Sequence, residues 1–243
     1  MENTTIIPTF AVEVQFNWNY PGKPIQNIVK EGYIQSERTD SELIAKEFID
    51  TFIDVYQVGI CEVSDIEILY QAGVRDFGEN RDQEGVEKAK NLPQDIRWHF
   101  QGQIQSNKIK SLIEWASVIH SLDDIDHAQK INKRLKVPIE VFAQVSLDGQ
   151  EHRGGVEPKK LDEFIHSVSK LPMLKISGLM AVAPVNLSPD IAFANLQEIF
   201  QGLASSYHFL KNLSAGMSGD YLTAIKFGAT HIRVGSSILG SRL

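Results

Sequence analysis

The 243-residue sequence has little of several features that mark common protein classes. Its one cysteine, Cys61, allows no internal disulfide, which is typical of a protein from a reducing compartment. No apolar run approaches the roughly 20 residues of a membrane-spanning helix, and no basic stretch followed by an apolar one opens the chain. These absences predict a cytoplasmic protein that does not have a membrane as its partner.

Basic residues are also in the minority. Lysine and arginine number 24 against 31 acidic residues, which gives a formal net charge of -7, and they form no long cluster. A nucleic-acid surface needs concentrated positive charge, so we expect a small ligand or a protein as partner instead. The seven histidines are scattered, without a His-Glu-x-x-His pattern or paired cysteines, and therefore predict no metal site.

The N-terminal region contains a regular alternation. Apolar and polar side chains alternate from residue 10 to residue 20, which is the period of a half-buried strand. A Pro-Gly-Lys-Pro turn at 21–24 follows, and residues 28–34 have the composition of a partner strand. We expect residues 1–38 to be a small β extension added to a domain over 39–243, so that deleting them would leave that domain folded.

The rest of the chain alternates between short β-rich runs and helical runs. A capping box at 39–42 begins a helix over about 40–54. Strand followed by helix, repeated, requires parallel pairing with right-handed crossovers, and eight such units close into a (β/α)₈ TIM barrel. The alternative, an open doubly wound sheet, usually carries a glycine-rich first turn that is missing here. The predicted strands are 55–61, 74–77, 96–100, 117–120, 139–145, 174–180, 212–214 and 231–234, and the helices after them are 63–72, 81–91, 106–114, 124–135, 158–170, 189–206 and 218–227.

Two Ser-Gly turns follow the last two predicted strands. Ser218 with Gly219, and Gly235 with Ser236 and Ser237, begin successive helical runs. Helix starts leave backbone N–H groups unpaired and carry partial positive charge, so Ser218, Gly235 and Ser236 can together hold one phosphate. The loops after strands 7 and 8 of barrel enzymes often do so. The alternative is that both Ser-Gly pairs are ordinary caps and turns.

The assembled motifs resemble those of the pyridoxal 5'-phosphate homeostasis proteins, also called proline synthetase co-transcribed homologues. The matching segments, in family order, are GVRDFGEN at 73–80, WHFQGQIQSNK at 98–108, EHRGG at 151–155, GLMA at 178–181 and the stretch 213–242. The resemblance covers about 63–243. It implies a barrel of the alanine racemase N-terminal type and a protein that binds and buffers pyridoxal phosphate, generally without a turnover reaction and therefore without catalytic residues.

The resemblance also implies roles for individual residues. It assigns the cofactor phosphate to Ser218, Gly235 and Ser236, and it places Arg233 opposite the pyridine nitrogen. It places Asn80, His99 and Met217 along the ring. Two of these residues have alternative interpretations: Arg233 as a member of an ion pair within the barrel, and His99 as a hydrogen-bonded core histidine.

The first predicted strand departs from the family pattern. The family's Schiff-base lysine falls on Gly59, and no lysine lies within 56–62. We expect non-covalent binding of pyridoxal phosphate by a monomer or weak homodimer. The alternative is a lysine-less relative that binds another phosphorylated ligand or serves as a protein-interaction module. An active racemase or lyase is disfavoured because that chemistry needs the lysine.

Overall fold

A closed barrel of eight strands forms the centre of the protein. The structure is a computed structural model and describes residues 13–17, 63–71, 73–149 and 154–235. Its strands follow one another around the barrel in chain order, and seven of them, β2 to β8, run parallel. The strands are β1 Glu13–Asn17, β2 Asp76–Glu79, β3 Arg97–Phe100, β4 Val118–Leu122, β5 Ile139–Gln144, β6 Leu174–Met180, β7 Asn212–Ser214 and β8 His231–Val234.

Helices connect the parallel strands and cover the outside of the barrel. Over the described residues they are α1 Val63–Gln71, α2 Asp82–Asn91, α3 Ile109–Trp115, α4 Ile125–Arg134, α5 Leu161–Ser169, α6 Pro189–Ser206 and α7 Tyr221–Lys226. A 3₁₀ turn at Pro158–Lys160 leads into α5. None of these helices is both long and apolar enough to cross a membrane.

The predicted strands and helices agree with the structure wherever it describes them. The bounds predicted for β6, β7, β8 and α6 are those observed, and the other elements differ by up to three residues at either end. The barrel prediction is confirmed. The predicted first strand at 55–61 and the helix before it at about 40–54 lie outside the described residues.

The strand β1 closes the barrel, whereas the sequence predicted this segment as part of a β extension added to it. It runs antiparallel to both neighbours, with Val14 opposite Val234 of β8 and Glu13 opposite Gly78 of β2. The N–H and C=O groups at the facing edges of β8 and β2 need partners, and β1 supplies them. The alternating segment therefore forms a strand within the barrel wall. The predicted partner strand at 28–34 and the boundary at residue 38 lie outside the described residues, so the division into two domains stays a prediction.

The main hydrophobic core lies between the strands and the helices. Trp98 of β3 packs edge-on against Trp115 of α3, with ring centroids 6.4 Å apart. Trp98 therefore faces the helices, and because side chains alternate along a strand, Arg97 and His99 face the barrel interior. The same alternation turns Phe77 of β2 outward, where its ring lies 6.0 Å from that of Trp98.

The barrel interior has a polar lower layer and a mixed layer above it. We call the lower layer, near the amino ends of the strands, the barrel floor; its residues are Asp76, Arg97, Glu140, Ser177 and Asn212. In the floor, Arg97 forms ion pairs with Asp76, at 3.5 Å, and with Glu140, while the Ser177 hydroxyl donates to Glu140 over 2.6 Å. Above it, Val118, Phe142 and Met180 form a small apolar cluster.

Candidate functional site

The loops after β7 and β8 meet at the carboxyl ends of the strands. The backbone N–H of Gly235 donates to Ser218 Oγ over 3.1 Å, so the two residues predicted to hold a phosphate are in direct contact. The third, Ser236, lies outside the described residues. Active sites of barrel proteins lie at this end of the strands. The structure thus brings together the described part of the predicted phosphate site.

The turn that carries Ser218 depends on a glycine. Gly216 has a φ of +91°, and a Cβ at this position would lie 2.7 Å from Ala224 Cβ and 2.8 Å from Tyr221 Cα of α7. A side chain would therefore strain the backbone and clash with the helix. The Gly216 carbonyl also accepts the N–H of Arg233 over 3.0 Å, which ties the turn to β8.

The helix after this turn begins later than predicted. Helix α7 starts at Tyr221, with Asp220 before it, so Ser218 lies in the preceding turn and not at the helix N-terminus. The Asp220 carboxylate accepts the backbone N–H of Met217 over 2.6 Å, because aspartate side chains readily bond to the backbone of their own turn. Ser218 therefore contributes to the described cradle as a turn residue, and the helix predicted to begin after Gly235 lies outside the described residues.

Arg233 lies at the mouth of the barrel. It belongs to β8, is 4% exposed, and its guanidinium donates to the Ala181 carbonyl over 3.2 Å. This contact is with a neutral carbonyl, and the alternative role of Arg233 in an ion pair stays a prediction. A buried guanidinium held by a carbonyl keeps its charge, because arginine does not lose its proton in proteins.

Asn80 follows β2 on the other side of β1. Its backbone N–H donates to Glu79 over 2.7 Å, and the same carboxylate oxygen accepts the N–H of Arg81 over 3.0 Å. The other oxygen of Glu79 pairs with Lys88 of α2 at 2.5 Å, with both side chains almost fully buried. Burial raises the pKa of the Glu79 carboxyl, and Lys88 opposes that rise. This buried pair fixes the loop that carries Asn80.

A polar pocket lies beside this loop. It has a volume of about 310 Å³ between the loop after β2 and the loop after β3. Lys108 is part of its wall and lies 4.0 Å from the Asp82 carboxylate. Part of the motif at 98–108 therefore lines this pocket beside the loop that carries Asn80.

His99 lies in the barrel interior with both ring nitrogens engaged. Its Nε2 lies 2.9 Å from Asp76 Oδ1, and its Nδ1 lies 2.8 Å from His120 Nε2. His120 Nδ1 in turn lies 2.9 Å from Ser214 Oγ, and the His120 ring stacks on Phe142 at 4.3 Å. These contacts match the interpretation of His99 as a hydrogen-bonded core histidine.

The interior histidines are poor bases in this environment. Burial lowers the pKa of His99 and lowers that of His120 well below its usual range. Burial also lowers the pKa of His231, to about 3. Burial alone would raise the pKa of Asp76, but the hydrogen bond from His99 and the charge of Arg97 lower it. At neutral pH the three histidines are therefore neutral and Asp76 is ionised.

Comparison with known proteins identifies the family. The sequence matches the family described as "Alanine racemase, N-terminal domain" over residues 53–242. It is 38% identical over 190 residues to a pyridoxal phosphate homeostasis protein of Corynebacterium glutamicum, a match that covers 74% of this chain and 86% of the other. The chain belongs to the pyridoxal phosphate homeostasis protein family. The resemblance drawn from the motifs is thereby confirmed.

Two solved structures share the fold of this family member. Both are of PipY from Synechococcus elongatus PCC7942, one with PLP bound and one without it, with TM-scores of 0.67 and 0.69. Each is 34% identical, and the match covers 73% of this chain and 87% of PipY. These matches support the barrel of the alanine racemase N-terminal type.

Several site residues are absent from the sequence prediction. Asp76 and His120 contact His99, Ala181 contacts Arg233, and Asp220 contacts Met217. Ser214 contacts His120 and so reaches His99 through it. Asp76, His99 and His120 occupy inward positions of three adjacent strands, a juxtaposition that strand alternation could have indicated. The described residues contain no cluster of His, Cys, Asp or Glu suited to a metal ion.

Proposed function

We propose that this protein binds pyridoxal 5'-phosphate non-covalently and contributes to its homeostasis by holding the cofactor, without a turnover reaction. The observation that supports this most directly is the contact between Gly235 N–H and Ser218 Oγ, which unites the loops after β7 and β8. The relatives are named for pyridoxal phosphate homeostasis and PipY has a structure with PLP bound, and both facts support the same ligand.

The residues present fit the phosphate of this cofactor. Backbone N–H groups and serine hydroxyls are the donors that phosphate sites use. The glycine at 216 lets the turn that carries Ser218 pack closely against α7. We assign the phosphate to Ser218, Gly235 and Ser236. Asn80 and Met217 are assigned to the ring, as the resemblance implies.

Arg233 is assigned to the pyridine nitrogen of the ring. The bound cofactor would supply an aldehyde and an electron-withdrawing ring. A guanidinium cannot accept or release a proton at neutral pH, so a nitrogen that faces it stays unprotonated and the ring withdraws electrons weakly. Arg233 is buried and its guanidinium donates to the Ala181 carbonyl, so a permanent positive charge is held in a fixed position at the mouth of the barrel. A weak electron sink suits a protein that holds the cofactor.

The glycine at position 59 affects whether the ligand can be attached covalently. Covalent attachment needs an amine, and the position aligned with the family's lysine has none. The proposal therefore includes reversible, non-covalent binding. It also includes a cytoplasmic location and a monomer or weak homodimer, with neither nucleic acid nor a membrane as partner.

Calorimetric titration tests the phosphate assignment. Pyridoxal phosphate should bind wild-type protein, inorganic phosphate should compete, and pyridoxal without its phosphate should bind far more weakly. Ser218→Asp and Ser236→Asp should abolish binding through repulsion between like charges. Ser205→Asp, on the exposed surface of α6, is the matched control and should bind normally. Equal binding of pyridoxal and its phosphate would refute the assignment.

Borohydride reduction tests the mode of attachment. After incubation with pyridoxal phosphate and reduction, peptide mapping of wild-type protein should find no labelled lysine. The variant Gly59→Lys should acquire the label at residue 59, because desolvation at the end of the strand predicted at 55–61 would lower the pKa of the new amine and favour its reactive form. Label on Lys108, or on any other native lysine of the wild type, would overturn the alignment that places the missing lysine at Gly59.

A further inference from the structure

Four polar side chains form a continuous line of hydrogen bonds across the barrel interior. The line runs from Asp76 in the floor through His99 and His120 to Ser214 at the end of β7, with successive distances of 2.9, 2.8 and 2.9 Å. His99, His120 and Ser214 are each at most 1% exposed, whereas about a third of the Asp76 side chain is exposed. We call these residues the interior chain.

The interior chain has one direction. An ionised carboxylate only accepts hydrogen bonds, so His99 must donate to Asp76 from Nε2. The Nδ1 of neutral His99 is then an acceptor, and His120 must donate to it from Nε2. The Nδ1 of His120 is in turn an acceptor, and the Ser214 hydroxyl donates to it. The carboxylate at one end thus fixes both tautomers and the orientation of the hydroxyl at the other end.

The charges around the interior chain favour this direction. At its lower end, Asp76 and Glu140 outnumber Arg97, so the floor carries an excess of negative charge. At its upper end, the charge of Arg233 is one of the influences that lower the pKa of His120. Donor hydrogens point toward the floor and acceptor atoms toward the mouth, so each dipole is aligned with the field between these charges.

The upper end of the chain is connected to Arg233 through the backbone. The Ser214 carbonyl accepts the N–H of Ala181 over 3.0 Å, and the Ala181 carbonyl accepts the guanidinium of Arg233 over 3.2 Å. Ser214 also lies two residues before Gly216, whose carbonyl accepts the Arg233 N–H. The end of β7 therefore supports both the side chain and the backbone of Arg233.

We propose that Asp76, His99, His120 and Ser214 are positioning residues for Arg233, and that Asp76 sets the hydrogen-bond direction of the whole interior chain from the barrel floor. Both ring nitrogens of each chain histidine are used within it, so neither histidine is available as a base beneath the ligand. The assignment to ligand positioning rests on the proposed function; the direction of the chain does not.

Nuclear magnetic resonance of the ¹⁵N-labelled full chain, without ligand, tests the direction. Long-range ¹H–¹⁵N correlation spectra distinguish protonated from unprotonated ring nitrogens. At pH 7 the proposal expects His99 and His120 each to show a protonated Nε2 and an unprotonated Nδ1. A protonated Nδ1 on either residue overturns it.

Two substitutions at opposite ends should have unequal effects. Asp76→Asn removes the fixed acceptor and should alter the ring signals of both histidines, although His120 does not touch Asp76. Ser214→Ala removes only the terminal donor and should leave both tautomers unchanged. His231 serves as an internal control, since its Nδ1 contacts Thr230 at 2.8 Å outside the chain. Altered tautomers in Ser214→Ala would overturn the proposal even where Asp76→Asn fails to fold.

Ligand affinity tests the positioning role. Asp76→Asn and Ser214→Ala should weaken the binding of pyridoxal phosphate at least about fivefold, the low end of coupling between separate sites, while inorganic phosphate binds as in wild type. Ser177→Ala, which removes a floor hydroxyl outside the chain, should change affinity less than about twofold. Unchanged affinity in both chain variants overturns the positioning role. Absence of cofactor binding to wild-type protein would instead refute the proposed function, and the spectra would still decide the direction of the chain.

Discussion

The buried ion pair between Lys88 and Glu79 allows a quantitative prediction. Lys88 Nζ lies 2.5 Å from Glu79 Oε2, and their side chains are 3% and 0% exposed. Lys88→Met keeps most of the aliphatic volume but removes the charge. Because the carboxylate is then left buried without its counter-charge, the free energy of unfolding should fall by about 3–5 kcal/mol at neutral pH.

The structure places the effect near the lower end of that range. Glu79 keeps two backbone donors, the N–H groups of Asn80 and Arg81, after the lysine charge is removed. A loss of about 3 kcal/mol corresponds to a melting temperature about 6–12 °C lower for a chain of this size. Urea unfolding followed by circular dichroism measures it. Lys90→Met, on the exposed side of the same helix, is the control and should change stability by less than about 0.5 kcal/mol.

The pH dependence separates this mechanism from lost packing. The pKa of Glu79 is already raised by burial, and removal of Lys88 raises it further. The folded variant therefore holds a proton that the unfolded chain, with a pKa near 4.5, releases. Stability conferred by that proton is lost as pH rises through the folded pKa, so the penalty should be smaller at pH 5 than at pH 7. A penalty below about 1 kcal/mol at pH 7, or one independent of pH, would refute the reasoning.

Three further predictions concern stability. Gly178→Ala should destabilise the barrel strongly, because its Cβ would lie 1.9 Å from the Asn212 carbonyl oxygen, whereas Gly202→Ala, in open space on α6, should stabilise by about 0.5–1 kcal/mol; urea unfolding compares the pair. Because burial lowers the pKa of His231 to about 3, its contribution to stability should be complete above pH 6.5 and should fall by about 1.4 kcal/mol per pH unit toward pH 4, which acid titration of unfolding measures. Burial lowers the pKa of His120 in the same direction, so His120 should add to this loss. Deletion of residues 1–38 removes β1 and exposes two strand edges, so calorimetry should show a lower or less cooperative transition, in contrast to the expectation from sequence.

Local signals in the sequence predicted most of the fold. Helix α6, for example, begins where Ser188 caps it, with the Ile191 N–H donating to Ser188 Oγ over 3.4 Å, and Pro189 follows at the first helical position. Both residues are start signals readable without a structure. The strands β6 to β8 are likewise predicted because their composition and their bounding turns are local properties.

The location of β1 could not be predicted in the same way. Its alternation identifies a strand, but the pairing of Val14 with Val234 joins residues 220 positions apart. Nothing in a local pattern specifies which distant edge a strand will meet, or in which direction. The assumption that every barrel strand precedes its own helix therefore gave eight parallel strands, whereas the described residues form seven parallel strands and one antiparallel strand, and the predicted strand at 55–61 lies outside them.

The contacts of the candidate site also differ in whether local sequence patterns could predict them. The contact between Ser218 and Gly235 follows from the repeated Ser-Gly turns after neighbouring strands, so sequence reasoning could bring them together. The interior chain joins His120 to Ser214, which are 94 positions apart, and His120 lies outside every motif that carried the resemblance. Family resemblance placed His99 beside the ligand, but only the structure shows that both of its ring nitrogens are engaged within the core.

The distribution of charge along the barrel axis contributes to the stability of a buried arginine, Arg233. Arg233 is 4% exposed and donates to a carbonyl, an arrangement in which desolvation of the charge is costly. The floor carries one more carboxylate than it has cations, and that excess charge attracts a cation at the mouth. A histidinium between the two would repel the guanidinium, and the low pKa values of His99 and His120 prevent it. The neutral, directed histidines thus let the floor stabilise Arg233 while no competing cation forms between them.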